Sequence, residues 1–208
     1  MRISSPVIVT VSNEYGSGAL AIASRAAEML GYAYVDRQLP VVVAKRLRIT
    51  PEAVEASEDS QRSLGERLID SLERATPELA EATATQPLDE ELVRAVAQAV
   101  REAASAGRCV IVGRGAYAIL GERPDVLRVF MHAPRDWRIA HVVQTSNVSP
   151  EIAEAELERV DRARIAYIRQ WYGLAFGDMR NYDLCIDTSR LDAAQSCAVI
   201  VAAVRARA

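Results

Sequence analysis

The sequence predicts an α/β fold built on a parallel five-stranded sheet with helices on both faces. Three observations carry that expectation. Residues 7–11 (VIVTV), 109–112 (CVIV) and 126–131 (VLRVFM) are short, continuously apolar runs, the pattern of strands buried on both faces. All three lead into a turn, and the first and third continue into segments with helical spacing, which is the alternation of βα units. The chain has 208 residues, of which 50% are hydrophobic and 25% charged, enough to bury one full core without disulfides.

The elements follow in order. After the first strand, residues 13–18 (NEYGSG) form a turn, and an Ala-rich helix over 19–30 ends at Gly31. Tyr34 and Val35 mark a second short strand, followed by a helix over 37–47; Thr50, Pro51 and Glu52 supply the cap and first turn of another. Between residues 56 and 89 the composition turns polar and acidic, with Pro77 and Pro87, and reads as helical pieces joined by a loop. A helix over 89–106 has Leu92, Val93, Val96, Ala97 and Val100 on one face. The third strand runs into Gly113-Arg114-Gly115, and His132-Ala133-Pro134 separates the fourth from a helix over 135–145. A long amphipathic helix over 150–172, a last strand at 184–187 (LCID) and a closing helix over 192–205 complete the chain. The whole is one domain, with a helical insertion at 40–106 and a helical segment at 146–173.

The charge is 25 basic against 28 acidic residues, a net of −3, with neither sign concentrated; this predicts no nucleic-acid partner and no membrane partner. The expected location is the cytoplasm. Three separated cysteines, Cys109, Cys185 and Cys197, argue against a disulfide framework or zinc site, and Cys109 and Cys185 read as inert buried thiols. His132 reads as a group satisfying a strand end, and Trp137, Tyr167, Trp171 and Tyr172 as packing residues. Of the 25 basic residues 24 are Arg, the one Lys being Lys45.

A loop between the first strand and first helix of such a sheet lies where these folds bind ligands. Glycines there let backbone N–H groups approach phosphate oxygens, and the helix N-terminus adds partial positive charge. Gly16, Ser17 and Gly18 occupy this position, but a full phosphate loop continues with Lys and Ser/Thr, where this chain has Ala19 and Leu20. Phosphate charge would therefore fall to arginines, and Arg37 and Arg114 both follow strand ends on the same edge of the sheet.

Six ordered stretches, at residues 8–23, 30–38, 110–116, 126–138, 159–173 and 181–191, resemble the cytidylate kinase-like family of P-loop nucleoside monophosphate kinases. The resemblance implies a P-loop core sheet, an acceptor-binding region and a lid. By position, Gly16, Ser17 and Gly18 resemble the phosphate loop, and Asp36 and Arg37 the acceptor side. Gly113 and Arg114 resemble the segment contacting a pyrimidine nucleotide, and Arg159, Asp161 and Arg162 the lid that surrounds the transferring phosphoryl group. Asp187, with Thr188 and Ser189, resembles the edge of the adenine pocket.

Three functions stay open on this sequence. One is a kinase passing a phosphoryl group from ATP, with Mg²⁺, to CMP or dCMP, with Arg37 and Arg114 on the acceptor, Arg162 and Arg159 on the transferred charge, and Asp36 or Asp187 acting through Mg²⁺ and water. The second is a catalytically silent nucleotide or phospho-ligand sensor, favoured by Ala19 and Leu20 in the degenerate loop. The third is an interaction protein using the acidic segment at 56–89. Homo-oligomerisation is open in each case.

Overall fold

The computed structural model describes residues 8–36 and 85–207. Arg37, Lys45, the helices expected over 37–47 and from 51, and most of the acidic segment lie outside the described residues.

Five strands form one parallel sheet in the order β2-β3-β1-β4-β5. They are β1 (Ile8–Asn13), β2 (Ala33–Val35), β3 (Cys109–Val112), β4 (Val126–His132) and β5 (Leu184–Asp187). The central β1 pairs with β3 and β4 at once, Val9 standing opposite Val110 on one side and Leu127 on the other. That double burial is why the third strand is apolar throughout and the first and fourth are mostly so, rather than alternating. The helices are α1 (Ala19–Leu30), α2 (Thr85–Ser105), α3 (Ala116–Leu120), α4 (Arg135–Ser146), α5 (Pro150–Tyr172) and α6 (Ala193–Ala206).

Successive strand residues face opposite layers. Ile8, Cys109, Ile111 and Val126 pack with Leu92, Val96 and Val100 of α2 and with Leu120 of α3. Val9, Val11, Val110 and Leu127 pack with Ile22 and Ala26 of α1 and with Ile200 and Val201 of α6. The expected three-layer arrangement is present. α6 begins with a capping box, Asp192 accepting from Gln195 N–H at 2.8 Å while the Gln195 side chain accepts from Asp192 N–H at 3.0 Å. α3 was not anticipated, since five residues after a glycine turn carry too little periodicity to read.

One cysteine differs from expectation. Cys109 is buried, and burial pushes its thiol up to about 11. Cys185 is exposed, on β5, which is an edge strand among the described residues. Among the described residues no helix is long and apolar enough to cross a membrane.

Candidate functional site

A cavity of about 510 Å³ opens where β1 and β3 end, between their loops and helices α4 and α5. Gly16, Gly18, Asp36, Gly113 and Arg114 all line it. Three separate sequence segments, each following a strand end, are thereby brought to one place, the usual ligand position of an open parallel sheet.

The loop after β1 is held from outside by the lid-like helices. The Asp161 carboxylate on α5 accepts the Tyr15 N–H at 2.8 Å and the Arg138 guanidinium at 2.5 Å. Arg138, on α4, also donates to the Tyr15 and Ala133 carbonyls, both at 3.0 Å, and lies 3.4 Å from Glu14. Its side chain is only 9% exposed, so this set of partners compensates a nearly buried charge. Arg164, one turn beyond Asp161, donates to the Asn13 carbonyl at 2.9 Å and lines the cavity.

Gly16 sits at φ +78° directly against α4; a Cβ there would stand 2.8 Å from Val142 Cγ2 and 3.0 Å from the Arg138 carbonyl. Only glycine meets both the left-handed conformation and the close approach. On the far side of the cavity, Arg114 has φ +59° between two left-handed glycines. A non-glycine residue in that region is strained, and such strain persists where the surroundings hold a side chain in a particular place. Here the residue so held lines the cavity.

The other sequence candidates lie elsewhere. The Ser17 side chain is fully buried with an unpartnered hydroxyl, away from the cavity, and its N–H donates to the Glu14 carbonyl at 3.3 Å. Arg159 pairs with Glu156 on the outer face of α5 at 2.8 Å, and Arg162 is exposed; neither lines the cavity. Asp187 ends β5, where the Ser189 hydroxyl at 2.6 Å and the Ser189 N–H hold its carboxyl below the usual range in a local turn.

Sequence reasoning passed over Arg164, His141 and the Arg138–Asp161 pair. A signal for Arg164 was present. At about 100° per residue it lies about 20° from Leu157 around the helix, within the stripe that buries Ala153, Leu157 and Val160. Arg162 and Arg159 lie about 140° and 160° from Leu157, on the opposite face.

One wall of the cavity is aromatic. Tyr117, Tyr167 and Phe176 line it, backed by Phe130 and Tyr182, whose rings stack at 4.9 Å. The Tyr117 hydroxyl is buried without a partner, and burial pushes its ionisation far up. The site thus joins loop glycines and two arginines to an aromatic wall, a set suited to an anion carrying an aromatic ring. It does not suit a loop-held Mg²⁺: the position of the metal-binding hydroxyl is Leu20, Ser17 faces away, and no cluster of three or more metal-binding side chains occurs among the described residues.

A model of the cytidylate kinase-like family matches residues 8–190, from β1 through β5. The chain belongs to the cytidylate kinase-like family. Among curated relatives, the cytidylate kinase of Natronomonas pharaonis is 27% identical over 97% of this chain and 91% of its own length. That of Methanopyrus kandleri is 28% identical over 50% of this chain, and the match spans 58% of that enzyme. Among solved structures, an uncharacterized protein from Eubacterium ventriosum superposes with a TM-score of 0.61 at 19% identity, covering 96% of this chain and 98% of that one. The shikimate kinase of Bacteroides thetaiotaomicron does so at 0.54 and 14% identity, with the same coverage. These likenesses place the family's sheet in the P-loop kinase fold.

Proposed function

We propose that this cytidylate kinase-like chain binds nucleotides in the cavity and passes a phosphoryl group from ATP to a pyrimidine nucleoside monophosphate, CMP or dCMP. The observation that carries the reading is the convergence of Gly16, Gly18, Arg114 and Arg164 on one cavity at the strand ends. Family membership and the cytidylate kinases among its relatives support the choice of substrates.

Phosphoryl transfer asks mainly for positioning and charge neutralisation. In this reading the N–H groups of the first turn of α1, which have no intrahelical acceptor, cradle the donor phosphates. Arg114 and Arg164 flank the transferred group from opposite walls. Asp36 accepts hydrogen bonds from the acceptor's sugar hydroxyls, and the Tyr117–Tyr167–Phe176 wall receives a base. Divalent metal brought with the nucleotide would supply further charge neutralisation; the loop itself contributes no ligand to it.

A second reading, favoured by Ala19 and Leu20, is a silent nucleotide sensor with the same cavity. Calorimetric titration with ATP, CMP and dCMP, each with and without Mg²⁺, followed by a coupled assay of turnover, separates the two. Turnover that falls about 100-fold or more in Arg164→Ala, in a variant that still melts cooperatively, is the expected outcome for the kinase. Binding without turnover supports the sensor, and no binding of any nucleotide overturns both.

A further inference from the structure

We infer that His141 is a proton-dependent phosphate anchor, supplying from α4 the positive charge that the loop lacks at Ala19; this rests on the nucleotide reading above. His141 lines the cavity beside Gly16, Gly18, Ala19 and Leu20. Its Nε2 is the heavy atom nearest to a Cβ built on Gly18, at 3.3 Å, so the nitrogen edge of the ring meets the start of α1. That is where the unpaired N–H groups of the first helical turn lie. Gly18 matters here for its missing side chain: any larger residue would stand between imidazole and loop.

The ring is held in place from two directions. Trp137, one turn earlier on α4, stacks on it with centroids 5.0 Å apart and planes 8° from parallel. The helix itself is fixed to the loop by Arg138 and by Val142 against Gly16. Such a ring cannot swing away from an incoming anion without breaking the stack.

Imidazole changes charge near neutral pH, unlike the guanidinium groups around it. The titratable and charged groups facing the same cavity are Arg114 from the loop after β3, Arg164 and Tyr167 from α5, Asp36 after β2, Tyr15 from the loop after β1 and Tyr117 from α3. The Glu14, Arg138 and Asp161 charges pair with one another behind the loop. A phosphate bound between Nε2 and the first turn of α1 favours the charged ring over the neutral one, so anion binding is coupled to uptake of a proton at Nε2.

The test is calorimetry of ADP binding to the full chain at about pH 7.5, in buffers of different ionisation heat, which gives the protons taken up. Wild type is expected to take up more protons than His141→Gln, and its affinity to fall about tenfold more than that of His141→Gln between about pH 6 and pH 8. His141→Arg, with a fixed charge, is expected to bind across the range without the extra uptake. The comparison with His141→Gln cancels titration of the ADP phosphate itself. Equal uptake and equal pH dependence in wild type and His141→Gln, with ADP bound in both, overturn the anchor and leave the nucleotide reading standing. No binding of ADP or ATP by wild type or by His141→Arg overturns both.

Discussion

Replacing Asp161 by alanine removes the acceptor of the Tyr15 N–H and the counter-charge of Arg138 in one step. Arg138 is then left nearly buried with only carbonyls and the more distant Glu14, and breaking such a pair costs about 3–5 kcal/mol. Urea unfolding of Asp161→Ala is expected to show a loss of that order. Asp161→Asn, which keeps one acceptor oxygen where the carboxylate offers Tyr15 N–H and Arg138 one each, is expected to lose less. A stability equal to wild type in Asp161→Ala would mean that the pair does not hold the loop. The residues that build and hold this loop show why the site was only partly legible in sequence. Gly16 and Gly18 announce themselves by type and by position before a helix. Arg138 and Asp161 look like any charged helical residues, because what distinguishes them is a neighbour 23 positions away. Arg164 could have been separated from Arg159 and Arg162 by its angle around the helix.

At the scale of elements, the sheet was readable because strands buried on both faces need no periodicity, only continuous apolar sequence between turns. The seating of α4 on the loop was not, since it depends on the absent side chain of Gly16. Gly16→Ala combines a left-handed backbone with a 2.8 Å approach to Val142 and is expected to destabilise by about 1–3 kcal/mol. Trimming the partner in Gly16→Ala/Val142→Ala would relieve only part of this, because the Arg138 carbonyl at 3.0 Å stays. Full recovery in the double variant would show that the backbone tolerates the position. The resulting displacement of α4 carries His141 and Trp137 with it, so Trp137 fluorescence should change alongside stability.

Across the whole molecule, Asp183 joins parts distant in sequence. It accepts the Arg128 N–H at 2.8 Å and the Arg128 guanidinium at 3.0 Å, and Arg207 at the end of α6 approaches to 3.7 Å. Burial opposes its charge, but the bonds and charges of Arg128, with Arg207 behind, outweigh burial and hold the carboxyl below its usual value. A carboxyl depressed on folding stabilises fully above the unfolded value, about 3.9, and that contribution is lost as pH falls through the folded value. The stability gap between wild type and Asp183→Asn is expected to be about 1.5–3 kcal/mol at neutral pH and to close only below about pH 4. A gap that does not vary with pH would remove the ionic part of this explanation.

The 23-residue helix α5 is about 34 Å long. Its middle grips the first loop through Asp161 and Arg164, while near its end Ile168 and Tyr172 press on Gly115 in the loop after β3. A single stiff strut therefore spans both rims of the cavity, and neither rim can open by itself: amides of the two loops should exchange with solvent together, in one event, at one rate.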